Sequence, residues 1–173
     1  NNMKQKIHMV DVVSHYKKYA STIDKIIKDV IVSGQYIQGE KVKSFEDQLS
    51  KYLDSKYTVS CGNGTDALYI SLMALDIERG SEILVPSFTF VSTVEAVCLL
   101  GLKPVFIDIN PDTFLVEPEL IQKNISTKTK AIIPVHLFGQ CCDMIEISKI
   151  ARDHNLYIIE DAAQSIGSKC KIN

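Results

Sequence analysis

No charge of one sign dominates this chain, because nineteen Lys and Arg face twenty-one Asp and Glu and leave a formal net charge of −2. Mixed charge of this kind lacks the basic stripe of a nucleic-acid binder or the polybasic anchor of an anionic membrane, so no partner of either kind is expected. No apolar run approaches the roughly 18 residues of a membrane-spanning helix. The lysines near the start precede no unbroken apolar stretch of a signal peptide, and a cytoplasmic, small-molecule protein is expected. Five cysteines are too few and too scattered for a disulfide framework. Cys61, Cys98 and Cys170 lie in or beside apolar or glycine-containing stretches and read as reduced thiols. Cys141-Cys142 is an adjacent pair rather than a Cys-x-x-Cys ligand pair, so no metal site is expected. The glycine fingerprints of dinucleotide and nucleoside-triphosphate sites are missing, as is the Gly-x-Ser-x-Gly elbow of serine hydrolases.

At 173 residues the chain suits one domain with a real core or a piece of a larger one. Its last residues, Lys169-Cys170-Lys171-Ile172-Asn173, follow a strand-like run and a glycine, so a truncated domain is expected. Ile23, Ile26, Ile27, Val30 and Ile31 recur at three- and four-residue intervals and predict a helix with one apolar stripe. Val42, Phe45, Leu49 and Leu53 predict a second, and the glycine-bounded segment 34–39 links the two. Residues 1–55 are thus expected to form an N-terminal helical segment. In 56–173 short branched-residue runs alternate with helical stretches. The expected strands are 57–61, 82–85, 103–109, 130–135 and 156–160. Strands apolar throughout, separated by helices, predict an α/β fold with a mostly parallel sheet covered on both faces. Ligands in such sheets gather at the carboxyl ends of the strands.

Several polar residues fall at those ends. Cys61-Gly62-Asn63-Gly64-Thr65-Asp66 reads as a strand end, a glycine turn and a helix start, where free N–H groups and the positive end of the helix dipole receive a phosphate. An ordinary helix cap at Thr65 or Asp66 is the plainer reading of the same residues. Asp161 ends the run Leu156–Glu160, where a partly dry carboxylate needs a partner. A protonated ring nitrogen would suit it, and so would the next helix as a capping site. Gln164, one turn on, could reach the same ligand, while Glu160 should point to the opposite face. Phe88 and Phe90 follow the strand 82–85; packing is expected of Phe88 and stacking on a planar ring of Phe90. His136 ends another strand without a visible acid partner. Phosphate, planar ring and pyridine nitrogen together point to pyridoxal phosphate.

The blocks Gly34–Gly39 with Phe45-Glu46, Gly62–Leu68, Pro86–Thr93, Pro104–Asp108, Val135–Gln140 and Glu160–Gln164 occur in order. With them the sequence resembles the DegT/DnrJ/EryC1/StrS family of pyridoxal-phosphate-dependent sugar aminotransferases. The resemblance implies the large domain of a fold-type I aminotransferase, with 56–173 as part of the cofactor-binding domain. It implies that Gly64, Thr65 and Asp66 hold the cofactor phosphate, Phe90 stacks on the ring, Asp161 pairs with the pyridine nitrogen and Gln164 contacts the ring hydroxyl side. It also implies transfer of an amino group from glutamate to a nucleotide-linked keto sugar, within a homodimer, for surface polysaccharide or glycoconjugate synthesis. The family's cofactor-linking lysine lies after the Glu-Asp-Ala-Ala-Gln block, beyond the end of this chain. Lys169 and Lys171 come too early to replace it, so no catalytic residue is assigned and the 173 residues alone are expected to be inactive. Gly80-Ser81-Glu82 departs from the family's usual Gly-Asp-Glu, and Cys61 stands where a small residue is usual. Two rivals remain. One is a non-catalytic relative that serves as a binding or regulatory protein; the other is an unrelated phosphate-binding domain with a metal at Asp108 and Asp161.

Overall fold

The computed structural model describes residues 10–170, which divide into two compact units between Thr58 and Val59. The first unit is helical. Helix α1 (Val12–Ser33) starts where Asp11 accepts the Ser14 N–H at 2.9 Å. It ends at Gly34, whose φ of 68° is the left-handed conformation that glycine adopts without a Cβ penalty. Helix α2 (Glu40–Leu53) follows, with Gly39 as its N-cap. Neither helix contains a buried residue.

The second unit is a parallel sheet between two helical layers. In chain order it runs α3 (Gly64–Ala74), β1 (Glu82–Pro86), α4 (Ser92–Leu99), β2 (Lys103–Ile107), α5 (Pro118–Asn124), β3 (Thr129–Ile132), α6 (Met144–Asp153) and β4 (Tyr157–Ile158). The strands lie in the order β2-β1-β3-β4 and every pairing is parallel. Alternation along the central strands explains the two cores. Ile83 and Val85 of β1, with Ala131 and Ile133, pack against α3 and α4 through Leu68, Leu72, Ala96 and Val97. Leu84 and Ile132 point the other way, into a cluster with Ile121 of α5 and Ile147 of α6. Each buried Val, Leu or Ile among them contributes about 1.5–3 kcal/mol by leaving water.

The amino ends of the strands are tied by Glu82, which accepts the Ser126 hydroxyl at 2.6 Å and the Lys103 ammonium at 3.0 Å. Those two hydrogen bonds, Ser126 first, hold its carboxyl below the usual carboxylate range. Pro104 sits in the edge strand β2, and Pro118 opens α5 as its first helical residue, both positions that dispense with a backbone donor.

Two expectations change. Residues 57–61 are irregular rather than a strand; Tyr57 and Val59 are exposed, and among the described residues the sheet's strands pair with one another and not with this segment. Strands β3 and β4 are also shorter than predicted, because beyond Ile132 and Ile158 the pairing continues only as the isolated bridge Val135↔Asp161.

The connections place the site. The β1–β2 connection carries α4 on one face, whereas β2–β3 and β3–β4 carry α5 and α6 on the other. Neighbouring strands β1 and β3 therefore send their chains to opposite faces, which is the switch of direction at whose strand carboxyl ends α/β sheets form their ligand crevice.

Candidate functional site

At one end of this crevice stands the start of α3. Asn63 is its N-cap: its Oδ1 accepts the Asp66 N–H at 2.9 Å while its Nδ2 donates to Asp66 Oδ2 at 3.0 Å. The cap read at Thr65 or Asp66 is thus two or three positions earlier, at Asn63. Thr65 lies inside the helix, and its hydroxyl is free of the capping duty. Gly64 and Thr65 head a helix whose first N–H groups have no intrahelical partner. Gly62 keeps the preceding turn tight, since a Cβ there would stand 3.0 Å from Asp66 Oδ2.

At the other end is Asp161, buried at the end of the β4 segment. Its backbone is pinned on both sides, its N–H donating to Pro134 O at 2.9 Å and its carbonyl accepting the His136 N–H at 3.0 Å. The carboxylate accepts the Thr93 hydroxyl on Oδ2 at 3.0 Å and the Ala163 N–H on Oδ1 at 3.2 Å.

The two ends meet on α4. Ser92 Oγ lies 2.7 Å from Thr65 Oγ1, and the next residue, Thr93, holds Asp161. Both α4 side chains are buried, Thr93 completely. Thr65 and Asp161, distant in sequence, are therefore each one hydrogen bond from adjacent residues on one helical turn, whose Cα atoms stand about 3.8 Å apart.

The remaining residues line the rim. Phe90, two residues before α4, is 72% exposed and leaves its ring face open. Phe88 packs instead against Phe114, with ring centroids 5.5 Å apart, and Phe114 against Phe138 at 5.9 Å. Gln164 lies in a run of turns rather than on a helix. Its Oε1 accepts the Phe138 N–H at 2.8 Å, which leaves the amide NH2 as a donor. Phe138 presents that N–H from a left-handed backbone, φ 55°, a conformation that costs a bulky residue on the order of 1 kcal/mol.

His136 has the acid partner that its sequence neighbourhood did not reveal. Its Nε2 lies 3.0 Å from Glu160 Oε2, and its Nδ1 accepts the Cys142 N–H at 3.2 Å. Cys142 and then Glu160 favour the charged ring and push its pKa up to about 9, against the opposing effect of burial. The Cys142 N–H works the other way, because it needs a lone pair on Nδ1 that the imidazolium does not have. Glu160 in turn is held below the usual carboxylate range by the same hydrogen bond. It turns away from Asp161 towards His136, as strand alternation predicts.

Ser92 and Thr93 carry no role in the sequence reading, although they end the block Pro86–Thr93. The available signal was two adjacent hydroxyl residues opening a helix one short loop after a strand. Asp108, paired with Asp161 in the metal rival, caps its own loop by accepting the Ile109 N–H at 2.8 Å. Among the described residues the lysine ion pairs are Lys103–Glu82 and Lys149–Glu146, both away from Thr65 and Asp161. Lys169 is exposed, and Lys171 lies outside the described residues. No helix among the described residues is long and apolar enough to cross a membrane.

The chain is similar to UDP-2-acetamido-2-deoxy-3-oxo-D-glucuronate aminotransferase of Pseudomonas aeruginosa, 46% identical over 165 residues that make up 95% of this chain and 46% of that protein. Among solved structures it is similar to DesV of S. venezuelae, with a TM-score of 0.92 and 34% identity over 95% of this chain and 44% of DesV. It is also similar to a GDP-4-keto-6-deoxymannose-3-dehydratase holding a trapped PLP-glutamate geminal diamine, with a TM-score of 0.78 and 31% identity over 85% of this chain and 41% of that one. The chain thus spans just under half the length of the relatives it matches. The model of the DegT/DnrJ/EryC1/StrS aminotransferase family matches residues 17–172, and this chain belongs to that family.

Proposed function

We propose that the protein is a pyridoxal-phosphate-dependent aminotransferase that moves an amino group from glutamate to the keto carbon of a nucleotide-linked sugar. The observation that carries this reading is the convergence of Thr65 and Asp161 on adjacent residues of α4. An anion-binding helix start and a buried carboxylate held that close suit a molecule with a phosphate at one end and a basic nitrogen at the other. The residues present fit pyridoxal phosphate. Gly64, Thr65 and Asp66 would take the phosphate at the start of α3, Asp161 the ring nitrogen, Phe90 the ring face and the Gln164 amide the ring hydroxyl side. When bound, the cofactor supplies an electron sink for the carbon that bears the amino group.

Each residue has a definite task. Asp161 is acceptor-only while ionised, so it holds a proton on the atom opposite it, and its burial keeps water from competing for that hydrogen bond. The Thr65 hydroxyl and the opening N–H groups of α3 hold the anion without a lysine or arginine, through hydrogen bonds and the helix dipole. The exposed Phe90 orients the ring by covering one face.

The protein acts as a cytoplasmic homodimer in this reading, and its amino sugar serves surface polysaccharide or glycoconjugate synthesis. The relatives' names and the trapped glutamate of the dehydratase support the substrate pair. For the 173 residues alone we infer cofactor binding without transfer: among the described residues the side chains of Thr65 and Asp161 are bonded to Ser92, Thr93 and Ala163 and not to a lysine. Adding pyridoxal phosphate to the full-length protein and following cofactor absorbance tests the first step. Production of 2-oxoglutarate from glutamate with a keto sugar nucleotide tests the second. Wild-type protein that binds no cofactor, or D161N that binds it as tightly as wild type, would overturn the proposal. Turnover by the 173-residue chain that survives K169A would overturn the inference about the shorter form.

A further inference from the structure

The first turn of α4 does more than cap a helix. Its two leading side chains, both hydroxyl-bearing and both buried, reach to opposite ends of the crevice. We propose that Ser92 and Thr93 form a positioning clamp for the cofactor cradle, with Ser92 setting Thr65 at the phosphate end and Thr93 setting Asp161 at the ring-nitrogen end. The inference rests on the pyridoxal phosphate reading above.

Hydrogen counting gives the clamp its direction. Thr93 has one hydroxyl hydrogen, and an ionised carboxylate can only accept, so that hydrogen is committed to Asp161 Oδ2. The contact between Thr93 Oγ1 and Thr89 Oγ1, 3.1 Å, must then run from Thr89 to Thr93. Thr89 belongs to the turn that also carries Phe90, so one chain of hydroxyls links the ring-facing aromatic's turn to the carboxylate. At the other end either hydroxyl can donate across the 2.7 Å contact; with Ser92 as donor, the Thr65 hydrogen is left for an anion. The Thr93 relay thus points from α4 outward to the carboxylate, and the proposal takes the Ser92 contact in the same sense. Because Ser92 and Thr93 are consecutive and packed beneath the sheet's edge, the spacing between the two anchors is set by one rigid helical turn rather than by two independent loops. Thr93 is wholly buried, so water cannot replace its hydroxyl if it is removed.

The test titrates full-length protein with pyridoxal phosphate and, separately, with pyridoxal, which has no phosphate, and follows cofactor absorbance. S92A is expected to weaken pyridoxal phosphate about fivefold and to leave pyridoxal unchanged. T93V is expected to weaken both about tenfold, since it removes a hydrogen bond to a charged group. S92T and T93S restore affinities close to wild type. Urea denaturation of the cofactor-free variants reports whether each folds. Where T93V does not fold, T89V carries the prediction, with a loss of about threefold for both ligands. Equal losses for both ligands in S92A overturn the clamp. Unchanged affinity in T93V, or in T89V where that variant stands in, also overturns it while losses in T65V and D161N keep the cofactor reading intact. Wild-type protein that binds neither ligand overturns the cofactor reading itself.

Discussion

The two units carry different apolar patterns, a helical stripe and a continuous run, and only the second is buried. Helix α1 carries Ile23, Ile26, Ile27, Val30 and Ile31 on one stripe, yet none of them is buried. In the second unit Ile83, Leu84 and Val85, three consecutive apolar residues without any helical spacing, are wholly enclosed. A stripe states which face a helix can bury; only a second layer on that face removes it from water. Strand β1 has layers on both sides because α3 and α4 pack on one face and α5 and α6 on the other.

The comparison breaks most readily at the core. L84A should cost about 3 kcal/mol, from lost transfer and the cavity left in a packed interior. I27A in α1 should fall within about 0.5 kcal/mol of wild type, as exposed positions do. Urea denaturation of both variants checks this, and equal losses would end the distinction.

The helix caps sharpen it next. Asp11 and Asn63 make the same bond, each accepting a first-turn N–H at 2.9 Å. N63A should therefore lose about 1 kcal/mol of stability, and D11A should also lose stability. Only N63A should also weaken pyridoxal phosphate, because its helix start lies at the crevice. A ligand titration beside the denaturation curve separates the two effects, and equal affinities would remove α3 from the site.

The smallest effect concerns pH. Glu160 is depressed by His136, so its contribution is present above the ordinary carboxylate value of 4.5 and is lost as pH falls through its lower folded value. His136 is raised to about 9, so its contribution is full below 6.5 and is lost as pH rises through about 9. Glu160 is half-exposed, and solvent screening keeps the pair within roughly 1 kcal/mol. Stability measured from pH 4 to 10 in wild type and E160Q should differ most near pH 5 to 6 and by less towards both ends; parallel curves would mean that the pair contributes nothing. Protonation of the ring should also release the Cys142 N–H from Nδ1, which its amide proton shift reports.

Much of the site was legible because its signals are local. Gly62–Asp66 shows a glycine turn before a helix, and Asp161 stands where an apolar run stops; both follow from neighbours within a few residues. His136 was undervalued because its partner Glu160 is 24 residues away on the adjacent strand segment. The strand expected at 57–61 failed for a related reason, since a strand exists only through a partner that local sequence does not supply. Gln164 was placed on a helix by spacing alone, whereas the chain there turns and uses the Phe138 N–H instead.

Residue order by itself determined that helices alternate with strands, that the sheet is parallel with apolar central strands, and which polar residues fall at the strand ends. These depend on side-chain periodicity and on turn residues, both read over short spans. Only the folded chain decided that Thr65 and Asp161 are tied to neighbouring hydroxyls. Thr93 and Asp161 are 68 positions apart, and their hydrogen bond arises from how β1, β3 and β4 stack side by side beneath α4.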